Sequence, residues 1–151
     1  MASLTVRPIE AADRPAWERL WAAYLDFYEQ SLPAPVTEDV WQRLLARDSE
    51  LMGFVAVERE GEGPPVGFVH ALPHQNTWRI EPVVYLEDLF VDPSIRGQGA
   101  GGALVAAVAA AAKALGASLV YWQTDSGNET AQRLYDKIAE RKRWVRYDMP
   151  I

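Results

Sequence analysis

At 151 residues, 49% of them apolar, the chain is long enough to bury a single core without disulfide or metal staples. It has no cysteine, which rules out disulfides, thiolate zinc sites and a cysteine nucleophile. A net charge of −6 speaks against a general nucleic-acid surface. No apolar run reaches the roughly 18–20 residues of a membrane span or follows a basic N-terminus as a signal would, so the expected setting is cytoplasmic.

In chain order, residues 4–9 read as a strand. Asp13 then caps a helix with Pro15 in its first turn, carried by Trp17, Leu20, Trp21, Tyr24 and Leu25 at helical spacing. The proline-rich stretch 31–35 breaks it, and Thr37, Val40, Trp41, Leu44 and Leu45 mark a second short helix. Residues 54–58 and 66–72 alternate as two strands around a Gly/Pro connection at 61–65. Residues 83–91 form a central strand, and 99–115 a long helix ended by Gly116. Residues 118–124 follow as a buried strand, 128–140 as a helix capped by Asn128, and 144–149 as a final strand. Strand-rich first, then βαβαβ, this order predicts one α/β domain over residues 1–151, a mixed sheet with helices on both faces. In the long helix Ala106, Ala107 and the alanines at 109–112 favour helix and permit close approach to the sheet.

The run Arg96-Gly97-Gln98-Gly99-Ala100-Gly101-Gly102 joins the central strand to the long helix. Such a junction leaves backbone N–H groups unpaired at the positive end of a helix dipole, which suits a phosphate. A Walker loop needs Gly-Lys-Ser/Thr, and Gly102, Ala103 and Leu104 stand there instead. Gly97, Gly99 and Gly102 match a dinucleotide fingerprint, with Asp125 placed as a ribose-binding acid. Only 49 residues follow Gly102, too few for the remaining units of such a domain.

Arg96-x-x-Gly99-x-Gly101 also matches the acyl-CoA pyrophosphate loop, and two flanking segments extend the match: residues 85–91 ahead of it, and Asn128-x-x-Ala131-x-x-Leu134-Tyr135-x-Lys137 after it. Together these resemble the GNAT N-acetyltransferases, specifically over 83–138 and more loosely over 4–70. Within the family they are most similar to the branch acetylating polyamines, thialysine and related amines, and its fungal histone/polyamine relatives. The resemblance implies the GNAT fold, a single domain with a mixed, mostly antiparallel sheet. Many members have Gly near position 139, where this chain has Ala139.

Glu87 and Asp88 are adjacent in a strand, so alternation sends them to opposite faces, and a carboxylate facing the core needs a partner or a task. An alkyl ammonium with a pKa near 10 must lose a proton before attacking a thioester, and a carboxylate can take it. The resemblance implies Glu87 as that base or as the ammonium ligand; the plain alternative is an ion pair with Arg79, Arg96 or Arg146. Asp88 alone reads as structural. Tyr135, nearly two turns after Asn128, can donate a proton or hydrogen bond to the departing thiolate; its alternative is a core aromatic, and the matched family pattern favours function. The resemblance also implies that Asn128 contacts the coenzyme.

By the same resemblance, acetyl-CoA lies between the strands at 83–91 and 118–124. Its pantetheine pairs with the backbone of Leu89 and Val91, its pyrophosphate meets the amides of Gly97, Gln98, Gly99, Ala100, Gly101 and Gly102 beside Arg96, and an N–H of Leu89 or Phe90 stabilises the oxyanion. Transfer is direct, in a ternary complex, and no metal is needed. Tyr24, Asp26, Tyr28 and Glu29 form an aromatic-acidic cluster for a small-molecule amine, with Tyr121, Trp122 and Gln123 as the other wall; ordinary core and surface is an equal reading of both sets. His70 and His74 lack metal-ligand company and read as structural, and the basic run 141–143 as a solvated turn or a contact to the CoA 3′-phosphate. The acidic surface either attracts a cationic amine or merely maintains solubility. The acceptor stays open among polyamine, amino acid, peptide lysine and antibiotic, and family members are often homodimers. The rivals are a non-catalytic acyl-CoA-binding module and a small NAD-binding protein.

Overall fold

The computed structural model describes residues 3–58 and 62–151. The elements are β1 (Leu4–Pro8), a 3-10 turn (Ala11–Asp13), α1 (Arg14–Phe27), α2 (Ala34–Leu45), β2 (Met52–Glu58), β3 (Pro65–His74) and β4 (Val83–Val91), then a 3-10 turn (Pro93–Ile95), α3 (Ala100–Ala114), β5 (Val120–Tyr121) and α4 (Glu129–Ile138). The strands form one sheet in the order β1-β2-β3-β4-β5. The first three pairings are antiparallel and only β4–β5 is parallel. That topology has no room for the successive parallel βαβ units of a dinucleotide-binding domain, so the NAD reading falls. Gly61 of the expected hairpin connection lies outside the described residues.

Two apolar layers sandwich the sheet. On one face Leu104, Val105, Val108 and Ala112 of α3 pack on Ala56, Val69, Ala71, Val84 and Leu86. On the other, Trp17, Leu20 and Trp21 of α1 and Trp41 and Leu44 of α2 pack on Val55, Val57, Phe68 and Phe90. The spacing of the α1 and α2 residues is the helical periodicity read from the sequence. Ala106, Ala109 and Ala110 face solvent, so these alanines supply helix propensity, while leucine and valine make most of the sheet contact. At its entry α1 is fastened by Asp13, which is 4% exposed and accepts both Arg7 guanidinium nitrogens (2.7 and 2.8 Å) and the Glu10 N–H (2.8 Å).

Two strand expectations are corrected. The strand expected at 118–124 shortens to Val120–Tyr121, paired at Val84↔Val120 and Tyr85↔Tyr121. Beyond Tyr85 the two strands part, and this side of β4 carries no ladder partner through Val91. The strand expected at 144–149 is absent: residues 139–151 have no regular structure and are exposed throughout. Alternating apolar residues make a strand only when an edge receives them, and among the described residues no edge does. The chain leaves α4 through Ala139 in an extended conformation (φ −147°), which requires no glycine.

Candidate active site

The decisive feature of β4 is a bulge at Glu87. In the β3–β4 ladder His70 faces Asp88 and Ala71 faces Leu86, so Glu87 is an extra residue without an opposite number. Before the bulge Val84 and Leu86 face α3; after it Leu89 and Val91 do, so the parity of the strand switches. Asp88 therefore turns to the α1 side with Glu87, not to the opposite face as strict alternation requires. Glu87 is reachable from solvent, yet the walls around it and the neighbouring Asp88 carboxylate raise its pKa, against the pull of His70, Arg43 and Arg146. Among the described residues it has no ion-pair partner. Of the arginines considered as its structural partner, Arg146 alone acts on its titration, through space.

Asp88 belongs to a polar chain that starts in the core. Trp17 Nε1–H donates to His70 Nε2 (3.0 Å), His70 Nδ1 lies 2.9 Å from Asp88 Oδ2, and Tyr24 O–H donates to Asp88 Oδ1 (2.6 Å). His70 is 1% exposed. Burial, Asp88 and Tyr28 hold the Tyr24 phenol far above its ordinary pKa. Tyr28 packs edge-on against Tyr24 (5.0 Å between rings), and its pKa is raised by burial and by Asp125 and Asp88. Asp26 and Glu29 are exposed. Glu29 adopts φ +54° and lines, with Tyr28, Asp125, Asn128 and Arg133, a cavity of about 550 Å³ between the end of α1 and the start of α4.

Past the end of β4 the loop enters α3 through two glycines in the left-handed region, Gly97 (φ +82°) and Gly99 (φ +89°). A side chain at either would be strained, and nothing lies within 4 Å of where its Cβ would be. Gly99 is the N-cap of α3, and the first bond into that helix is Ala103 N–H to Gly99 O (3.0 Å). The amides of Ala100, Gly101 and Gly102 thus stand at the helix start without intrahelical acceptors. Arg96 lies over Phe27 and Phe90 (5.9 and 5.5 Å to the rings), and its Nε donates to Val91 O. Open space, free donors and a guanidinium together fit a pyrophosphate.

Asn128 caps α4 by accepting the Ala131 N–H (3.2 Å), as its position in the sequence predicts. Tyr135 lies half-buried against Trp122 (5.3 Å between rings), and burial together with Tyr28 pushes its pKa up to about 12. The other expected wall divides. Tyr121 stacks on Tyr85 and donates to His74 Nε2 (2.7 Å), Gln123 accepts from Arg146 (3.2 Å), and Trp122 sides with Tyr135.

The acetyltransferase (GNAT) family model matches residues 17–139. The chain belongs to the GNAT family. It is 37% identical over 144 residues to the D-amino-acid N-acetyltransferase HPA3 of Saccharomyces cerevisiae, covering 95% of this chain and 89% of the yeast protein. A protein named uncharacterized N-acetyltransferase YhfO, from Bacillus subtilis, is 28% identical over 134 residues, covering 89% and 87% of the two chains. Among solved structures, the aminoglycoside N-acetyltransferase AAC(6')-Iy in complex with CoA superposes with a TM-score of 0.81 at 23% identity, covering 99% of this chain and 96% of that one. This GNAT protein is an acetyl-transferring enzyme, which sets aside the non-catalytic binding module.

The GNAT fold brings Tyr24, Tyr28, Glu87 and Asp88 together on one face and Tyr135 within electrostatic reach of Tyr28. His70 and Trp17, both buried, adjoin these residues through their hydrogen bonds to each other and to Asp88. Their pairing across 53 residues of chain has no local signal. The one clue was a histidine in an otherwise apolar strand segment, which needs a polar partner when buried.

Proposed function

We propose that this enzyme moves the acetyl group of acetyl-CoA to a primary amine by direct attack in a ternary complex. What carries the reading is the bulge, which sets Glu87 on the same face as Asp88 and Tyr24, beside the strand edge that opens after Tyr85. Acetyl-CoA supplies the activated thioester. The free side of β4 from residue 86 to 91 offers N–H and C=O groups to the pantetheine amides, including the backbone of Leu89 and Val91. Successive N–H groups point to opposite edges, so one of Leu89 and Phe90 faces the acyl oxygen and the other faces β3. The amides at 97–102 and Arg96 take the pyrophosphate, with Asn128 at the second helix start.

On the amine side, Glu87 takes the ammonium proton, and its raised pKa makes it a better base than an ordinary carboxylate. Tyr135 faces the leaving sulfur as a hydrogen-bond donor. A phenol at about 12 protonating a thiolate of pKa about 8.5 would run uphill by roughly 5 kcal/mol, so hydrogen bonding is the favoured role. Tyr24 and Tyr28 flank the cation, with Asp26 and Glu29 at the rim and Tyr121, Trp122 and Gln123 across from them. The 37% identity to a D-amino-acid N-acetyltransferase supports an amino acid among the acceptors, alongside polyamines.

A homodimer in the cytoplasm is the form we propose. Residues 139–151 expose Trp144 (68%), Tyr147 (91%) and Met149 (81%) in one segment, and an edge on a second copy would cover them. The reading is tested by releasing free CoA from acetyl-CoA with a panel of amines: spermidine, D- and L-amino acids, a lysine peptide and an aminoglycoside. Amine-dependent CoA release with a matching acetylated product is expected. Release that is indifferent to amine, or absent with all of them, overturns it. A monomer in sedimentation at micromolar concentration overturns the dimer.

A further inference from the structure

The chain from Trp17 to Tyr24 has a direction, and that direction reaches the amine site. Indole nitrogen can only donate, so His70 Nε2, 3.0 Å away, must accept and carries no hydrogen. The ring hydrogen then sits on Nδ1 and is donated to Asp88 Oδ2 at 2.9 Å. Asp88, a carboxylate, only accepts, so the Tyr24 hydroxyl at 2.6 Å must spend its single hydrogen on Oδ1. Every member is satisfied, and no buried side-chain nitrogen or oxygen among the described residues lacks a partner. Tyr24 Oη is left with lone pairs alone, within reach of Glu87 and Tyr28 on the same face.

We infer that Trp17, His70 and Asp88 are positioning residues that fix Tyr24 as a hydrogen-bond acceptor, so that the amine site selects an incoming donor, above all the charged ammonium N–H, over an acceptor-only group such as a carbonyl or carboxylate. The inference rests on the amine-transfer reading above and adds a specificity device to it. The chain links three elements, from α1 to β3 to β4 and back to α1, so the tautomer of a core histidine sets the polarity of the Tyr24 oxygen. No substrate contact is asked of the indole, the imidazole or the carboxylate.

The substitution Asp88→Asn reads the device. Its carbonyl must still accept from His70 Nδ1–H, because Trp17 holds the other nitrogen as an acceptor. Its NH2 then donates to Tyr24, and the displaced phenol hydrogen turns toward the amine. KM for the amine should rise about 10- to 100-fold, the range for a hydrogen bond to a charged group turned from favourable to unfavourable, with kcat changed much less. In a Tyr24→Phe background the same substitution should have little further effect, because there is no hydroxyl to turn. A plain loss of carboxylate charge would instead cost as much in that background as in wild type, and additive KM effects overturn the inference. A second readout is independent of turnover: long-range 15N correlation spectra of His70 should show a neutral ring with hydrogen on Nδ1. Hydrogen on Nε2, or on both nitrogens, at neutral pH overturns it as well. If wild type acetylates no amine, the amine-transfer reading fails, and the spectrum still decides the tautomer chain.

Discussion

A carboxylate at position 101 separates folding from cofactor binding, because the two respond with opposite signs. Gly101 is the second residue of α3, its φ is not left-handed, and a Cβ there would meet only Leu134 Cδ2 at an ordinary 3.5 Å. Gly101→Asp therefore introduces no strain. It gains a few tenths of a kcal/mol in helix propensity and about 0.3–1 kcal/mol from a negative charge in the first turn. The melting temperature should rise by about 1–4 °C. The same carboxylate would stand about 5 Å from a pyrophosphate bound at the helix start. At an effective dielectric of about 20 the repulsion is roughly 3 kcal/mol, a loss of CoA affinity of about 100-fold or more. Calorimetric titration with CoA and a thermal melt of the same sample give both numbers. Affinity within about threefold of wild type refutes the placement of the pyrophosphate, and a lowered melting temperature refutes the account of the helix start.

Glu87→Gln should slow turnover most near neutral pH, with the deficit shrinking as pH approaches the amine's own pKa near 10; a profile parallel to wild type in both kcat and KM removes Glu87 from the chemistry. Tyr135→Phe should leave CoA affinity unchanged and lower kcat about 10- to 1000-fold, whereas wild-type turnover returns the residue to core packing. The same phenol has a linkage consequence. Its folded pKa of about 12 lies above the unfolded value near 10, so the stability it contributes is intact below about pH 10 and lost as pH rises through about 12. Alkaline unfolding of wild type should steepen in that window and do so less in Tyr135→Phe. Burial raises the Asp13 pKa, but Arg7 and the Glu10 N–H outweigh it and leave the group below its ordinary value. Its contribution is therefore present above about pH 4 and lost as pH falls through the folded pKa. Asp13→Ala should cost about 2–4 kcal/mol in urea unfolding, without changing activity per folded molecule; a cost under about 0.5 kcal/mol contradicts the fastening role.

Local chemistry was legible in the chain. The spacing of Trp17, Leu20 and Trp21 announces α1, residues 83–91 announce β4 to the residue, and Asn128 after Ser126-Gly127 announces the start of α4. The glycines before α3 announce the turn into that helix, because a left-handed backbone and a helix start need no distant partner to exist. These features are set by dihedral preference and by which residues sit within a few positions of one another. The sides to which Glu87 and Asp88 turn were beyond reach. Alternation assigns them opposite faces, and only the β3–β4 register, with Glu87 left over between two ladder pairs, turns both toward α1. For the same reason the pairing of Trp17 with His70 was invisible: a hydrogen bond between residues 53 apart belongs to the packing of α1 on β3, not to either segment. Strand length was a tertiary decision too. Residues 118–124 and 144–149 have the composition of strands, but a strand exists only where a neighbour accepts its hydrogen bonds. Here the β4–β5 pairing ends at Tyr85↔Tyr121, and no strand edge among the described residues receives the tail.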